Sequence, residues 1–325
     1  MKELYKNGYI CHPQQLYSVR RMTVSEGKAK SMEIIEVCTA DGLQIDILPD
    51  TGLDIGQVRY KGVNMTYISR NGYDNPASII PLESEFMKTF PGGLLYTCGL
   101  RTTGGGHRDG NEWMPTHGRY HGLPAEPVCV EETDDCILVK GTVRETALFG
   151  YTLELKRTIR IPVMGADIIV SDEISNLSCK DEEIALLYHC NFGYPLICDQ
   201  TRLELPEDRK TTPRTPWAAT ALGRETTFDA PIPGEEERVF FHEQMEHKAA
   251  FVNPLLHTRV EMTWSDSLPI MAQWRSMASH DYVCALEPTN CYIMGRAAER
   301  ENGTLPVLKA YETIKTEVTF HFETV

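Results

Sequence analysis

The sequence predicts an antiparallel all-β fold, a large β-sandwich with a few short helices. Three observations carry this expectation. Apolar and polar residues alternate over many strand-length runs. Only one run before the middle of the chain has helical spacing. Strands never alternate with long amphipathic stretches in the manner of a parallel sheet. The 325 residues suffice for one such domain or two ordinary ones. The strand pattern continues past the one shift in composition, so a single domain over 1–325 is expected.

Taken in order, residues 32–39 and 43–48 read as two strands around the Asp41-Gly42 turn. Pro49-Asp50-Thr51-Gly52 makes a further turn, and 53–60 a strand ending at Lys61-Gly62. Between Pro81 and Phe90 the period changes. Leu82, Phe86 and Phe90 fall at i, i+4 and i+8, Pro81 suits a first helical turn, and Pro91-Gly92-Gly93 stops the run. A short helix is expected there. From Ile137 the strand pattern is dense: Leu153, Leu155, Ile159 and Ile161 share one parity, with Arg157 the exception. Ile168, Val170 and Ile174 continue it beyond the turn at Pro162-Val163-Met164-Gly165. Residues 204–237, rich in Pro, Thr and Glu, read as a long surface loop. Strand-like runs resume at 248–252, 259–263, 270–274, 282–286 and 317–321.

Composition excludes several function classes. A net charge of -14 argues against nucleic acid, whose phosphates require a Lys/Arg surface, and equally against an anionic membrane. A neutral small molecule fits better. No apolar run has the length of a signal peptide core or a membrane span. The ten cysteines include no C-x-x-C, and Cys38, Cys190 and Cys284 sit in apolar runs, as free thiols do. A reduced, cytoplasmic protein is expected, with homo-oligomerisation left open.

The stretch from Tyr188 to Pro195, Tyr-His-Cys-Asn-Phe-Gly-Tyr-Pro, follows the apolar run Ile184-Ala185-Leu186-Leu187, which reads as a buried strand. Period two sends His189 and Asn191 to one face, Tyr188 and Cys190 to the other. A titratable histidine on a rigid strand can present a proton to a ligand; the ordinary alternative is a core histidine bonded to backbone. In Cys284-Ala285-Leu286-Glu287-Pro288-Thr289-Asn290 a carboxylate ends an apolar strand and Pro288 keeps it extended. Burial would raise Glu287 toward a general base; its alternative is a salt-bridged strand end.

Other stretches carry candidate binding groups. The glycine-rich run from Gly92 to Gly106 lacks the Lys-Ser/Thr of a phosphate loop, and its glycines permit turns around Arg101, a planar donor for hydroxyls or a carboxylate. In Thr116-His117-Gly118-Arg119-Tyr120-His121 the H-x-x-x-H spacing suggests metal only on a helix. On an extended chain the two rings stand roughly 13 Å apart. A polar turn aiming His117 and Arg119 into a site is the better reading. In Met271-Ala272-Gln273-Trp274-Arg275, Gln273 and Arg275 share a face, and Trp274 on the other offers an indole platform for a sugar ring. No nucleophile motif emerges. Proton transfer by His and Glu without a cofactor is expected.

His-Gly-Arg, Tyr-His-x-Asn-Phe-Gly-Tyr-Pro and Leu-Glu-Pro-Thr-Asn, in this order, resemble the galactose mutarotase-like superfamily, within its aldose 1-epimerase-related branch long catalogued as a domain of unknown function. The resemblance covers nearly the whole chain and implies a supersandwich with a sugar in an open cleft. It implies His189 as the acid that protonates the ring oxygen and Glu287 as the base at the anomeric hydroxyl. It also implies Arg101 and His117 as substrate-binding groups, to which the residue reading adds Arg119, His121, Asn191, Gln273 and Trp274. Two departures stand out. Arg101 is followed by Thr-Thr-Gly-Gly, and His117 by Gly118-Arg119-Tyr120-His121, which adds cation and imidazole and opens the way to an acidic or modified sugar. The expected function is a cofactor-independent sugar epimerase. The alternatives are an isomerase or lyase, metal-assisted through His117, His121, Glu287 or His107, and a non-catalytic sugar-binding protein.

Overall fold

The computed structural model describes residues 2–78 and 85–325. Three sheets dominate. The strands Tyr17–Thr23, Glu33–Thr39, Leu43–Leu48, Asp54–Tyr60 and Val63–Asn64 form a five-stranded meander. An eight-stranded sheet runs in the order Arg202–Glu204, Lys248–Asn253, Thr258–Trp264, Thr313–Thr324, Asp167–Asn176, Thr152–Pro162, Cys136–Thr146, Cys129–Glu132. A six-stranded sheet runs Lys210–Pro213, Arg238–Glu243, Ile270–Ala278, Asp281–Thr289, Leu187–Gly193, Tyr96–Cys98. Every pairing within these sheets is antiparallel. The fold is the all-β, sandwich-like architecture that the alternation predicts.

The six-stranded sheet positions the site, and its two faces have different fates. Tyr188, Cys190, Phe192, Met271, Cys284 and Leu286 enter the main core; Phe192 packs at 4.8 Å from Phe251 of the eight-stranded sheet. The opposite parity, with Leu187, Ala272 and Val283, joins a smaller cluster with Tyr67, Phe90 and Tyr96. That second face floors a cleft.

Arg157, the exception in its alternating run, points into the core all the same. It is fully buried and pairs with Asp54 Oδ1 at 2.6 Å and Asp172 Oδ2 at 2.7 Å. Its remaining donors reach Thr97 Oγ1 and the Gly52 carbonyl, and Tyr188 donates to Asp172. All three guanidinium nitrogens are engaged, which is what a buried cation requires.

Two expectations need correction, and a third is met as far as the described residues reach. The run 184–186 lies outside the strand, which starts at Leu187. The expected helix between Pro81 and Phe90 is a helix at Glu85–Thr89, while Pro81 and Leu82 lie outside the described residues. The segment 204–237 is more than a loop: it contains the strand Lys210–Pro213 and a helical turn Pro216–Ala219 capped by Thr215. Buried Ala218 and Ala221 pack on Phe240, so small residues read as solvated are seated on the sheet.

Candidate functional site

The strand Leu187–Gly193, next to the edge strand Tyr96–Cys98, is buried along its whole length. Its register with Asp281–Thr289 pairs Leu187 with Thr289 and Cys190 with Leu286; each pair sums to 476, and so do 189 and 287. His189 therefore faces Glu287 across the strands. The described ladder is interrupted there, opposite Pro288, which has no N–H to donate. His189 Nε2 and Glu287 Oε1 stand 3.2 Å apart, yet they are not aligned for a hydrogen bond. Glu287 Oε1 and His189 Nδ1 are both buried without a protein partner. Such orphaned atoms are uncommon in folded proteins and mark places where a ligand or water completes the bonding.

Rings surround this pair. Phe90, Trp274 and His117 lie with ring centroids 5.3, 5.4 and 5.8 Å from that of His189. His117 reaches this position from a sharp turn with φ +58. Gly118 is required beside it, because a Cβ there would meet the Gly99 carbonyl oxygen at 2.2 Å. His117 Nδ1 is another buried atom without a partner. At the rim, Trp274 Nε1 donates to Glu237 Oε2 at 2.6 Å, and Arg214 Nη2 donates to the other oxygen at 3.0 Å. The cleft volume of about 420 Å³ falls in the range of small-molecule sites.

Burial governs the electrostatics. It pushes the Glu287 carboxyl up to about 8. It pulls His189 down to about 3, with the neighbouring His117 adding to the effect. His117 falls to about 4, by burial and then by the charge of Arg214. All three groups favour their neutral forms because a low-dielectric site penalises charge. A carboxyl near 8 is a strong base once ionised and is ionised in part at neutral pH, the condition for general base catalysis.

The other expected residues divide. Trp274 is in the cleft wall. His121 stacks on Tyr96 at 4.7 Å and, with Arg119, lines a neighbouring cavity of about 220 Å³ across Phe86. Asn191 is buried and donates to the carbonyls of Gly93 and His189; it braces the strand. Arg101 is held by Glu182 at 3.0 Å and Glu112 at 2.6 Å, over the Tyr151 ring, away from the cleft. Gln273 points to the reverse face, bonded to His242 and the Glu225 carbonyl. Period two already separates it from Trp274. His107 contacts its own loop at the Gly105 carbonyl. Among the described residues no three His, Cys, Asp or Glu side chains are gathered as a metal site.

Sequence reasoning missed Arg214, Glu235 and Glu237, which come from the segment read as a surface loop, and Tyr67. Phe86 and Phe90 were visible only as helix spacing. No local signal separated these residues from ordinary surface or packing positions.

The antiparallel, sandwich-like arrangement of sheets is the fold of galactose mutarotase-like proteins. Within it, the chain belongs to the family described as a domain of unknown function, DUF4432, which matches residues 29–322. Solved structures agree on the fold. A Klebsiella pneumoniae protein provisionally described as an aldose 1-epimerase is 21% identical, with 94% of this chain and 83% of that chain covered and a TM-score of 0.88. A galactose mutarotase-like protein from Clostridium acetobutylicum is 14% identical over 96% and 100% of the two chains, TM-score 0.69. The galactose 1-epimerase of Lactobacillus acidophilus is 14% identical over 94% and 99%, TM-score 0.63. No curated protein matches the sequence. Among the described residues no helix is long and apolar enough to cross a membrane.

Proposed function

We propose that the protein is a carbohydrate isomerase that interconverts the anomers of a monosaccharide, with Glu287 and His189 as its proton-transfer pair. The observation that carries this reading is the contact between two buried, neutral-leaning groups 3.2 Å apart, each with an unpartnered atom, on the floor of a ring-lined cleft. The structural likeness to a protein provisionally described as an aldose 1-epimerase and to a galactose 1-epimerase supports it.

The chemistry follows from the pair. Ionised Glu287 takes the proton of the anomeric hydroxyl. The bond between the anomeric carbon and the ring oxygen breaks, and the ring oxygen receives the Nδ1 proton of neutral His189 while its Nε2, 3.2 Å from Glu287 Oε1, takes up the proton that Glu287 has accepted. The open aldehyde rotates about its bond to the next carbon. Closure from the other face returns both protons, so nothing is consumed and no electrons leave the sugar. His117 is in reach to bond the ring oxygen or an adjacent hydroxyl. The Trp274 indole, oriented by Glu237, supplies a flat surface for the C–H face of the sugar. The cleft arginines are already matched, Arg214 with Glu237 and Arg70 with Asp281, which favours a neutral sugar over an acidic one.

Exchange NMR of anomeric protons, run over a panel of aldoses, uronates and deoxy sugars, tests the proposal. Enhanced exchange for one sugar, lost in His189→Asn and in Glu287→Gln, is expected. Wild-type exchange rates in Glu287→Gln would sink it.

A further inference from the structure

On the reverse face of the six-stranded sheet, lined from the segment 221–235, lies a cavity of about 290 Å³ that the proposed reaction does not use. Arg224, Arg238 and Arg275 line it, with Asp229 and Glu235 as the facing carboxylates; Glu235 stands between this cavity and the cleft and lines both. The register sets Arg238 directly opposite Arg275 on adjacent strands, so both side chains leave by the same face. Like charges at opposed positions repel. Both are nonetheless buried, at 8% and 3% exposure.

The two arginines are unequally served. Arg238 pairs with Glu235 and lies over the Trp217 ring at 4.1 Å. Arg275 makes no ion pair among the described residues. Its Nη1 donates to the Arg224 carbonyl at 2.9 Å, and the Phe228 ring lies 5.5 Å away. The Nε of each arginine is buried without an acceptor, and Glu235 Oε2 is buried without a donor. Burial, reinforced by the charge of Arg238, weakens the hold of Arg275 on its proton. An uncompensated guanidinium in the interior is costly unless something of opposite charge joins it.

We propose that this cavity binds a small oxyanion, a phosphate group, bridging Arg238 and Arg275. The guanidinium fork matches the geometry of phosphate oxygens. An acceptor oxygen satisfies the two orphaned Nε groups, and the proton of a monoanionic phosphate, or an adjoining hydroxyl, satisfies Glu235 Oε2. The volume lies just below the range of drug-sized ligand sites, roughly 300–1,000 Å³. It suits inorganic phosphate or the phosphate end of a monoester. Asp229 and Glu235 limit the negative charge the site accepts. The site rests on observations separate from the His189/Glu287 reading.

Thermal unfolding of the full chain, titrated with inorganic phosphate, with glucose 6-phosphate or with chloride at matched ionic strength, tests it. Phosphate or its ester is expected to raise Tm saturably where chloride does not; the tighter of the two names the source. Arg275→Met is expected to weaken that binding at least tenfold, while its stability without phosphate matches or exceeds wild type. An arginine with a purely structural role would instead destabilise on removal. Asp229→Asn, which removes an opposing carboxylate, is expected to tighten phosphate binding several-fold, and it decides the matter if Arg275→Met fails to fold. Equal effects of phosphate and chloride, or wild-type phosphate affinity in the variant examined, would overturn the proposal. So would loss of phosphate binding in Glu287→Gln, which would put the anion in the cleft.

Discussion

Two clusters of buried ionisable groups are separated by one strand, and they are built on opposite rules. Around Arg157 every guanidinium nitrogen has a partner, and the carboxylates of Asp54 and Asp172 are bonded to it as well as to Thr97 and Tyr188. Around His189 the bonds are left open: Glu287 Oε1, His189 Nδ1 and His117 Nδ1 have no protein partner. Tyr188 and His189 are consecutive, one feeding the closed cluster and the other the open one. The difference teaches how to separate a structural charge from a working one: burial is common to both, satisfaction is not.

The comparison can be broken first at its closed end. Arg157→Met strands Asp54 and Asp172 without their cation and is expected to cost roughly 3–5 kcal/mol, read by urea unfolding. At the open end, Glu287→Gln should lower anomer exchange by about 10²–10⁴-fold without destabilising the protein at neutral pH. A loss of stability there comparable with that of Arg157→Met would make Glu287 a structural residue.

Linkage sharpens the same contrast. Because the Glu287 carboxyl sits near 8 in the folded protein, above its ordinary value, the folded state holds the proton longer than the unfolded chain. Its contribution to stability is complete below its ordinary value near 4.5 and is lost as pH rises through about 8. In Glu287→Gln that decline should flatten. His189, held near 3, has the opposite sign: its contribution is complete above about 6.5 and is lost as pH falls toward 3. Turnover requires ionised Glu287, so kcat/KM should climb with pH and level off above about 8; a profile flat from pH 6 to 9 would remove Glu287 as the base. The smallest effect separates two neighbours. Trp274→Ala should raise KM about tenfold, whereas Gln273→Leu, on the reverse face, should register mainly in stability.

Much of this was readable in advance. Alternation located most strands and separated His189 and Asn191 from Tyr188 and Cys190, because backbone period is a local property; that His189 and Glu287 share a face depends on the register between their strands. Arg157 was visible as an irregularity, but its partners lie far away in sequence, at Asp54 and Asp172, so the chain could not announce a closed ion cluster. The same holds for Arg101: its partner Glu182 lies far away in sequence, and nothing near Arg101 signals that its fork is occupied. The composition of residues 204–237 reads as a surface loop, whereas its small residues, its arginine and its glutamates are placed by tertiary packing. The family resemblance located the cleft's centre; its rim had to be seen in three dimensions.

The chain has four tryptophans, and two of them are already installed as optical reporters. Trp274 stands in the cleft wall at 5.4 Å from His189, and Trp217 lies against Arg238 beside the arginine cavity. Their surroundings differ, since Trp217 is 39% exposed and stacked on a cation while Trp274 is bonded to a carboxylate. Emission from a Trp274→Phe protein should follow the anion, and emission from a Trp217→Phe protein should follow the sugar. The two cavities can therefore be titrated separately, one variant for each, without a label and before the natural ligand of either is in hand.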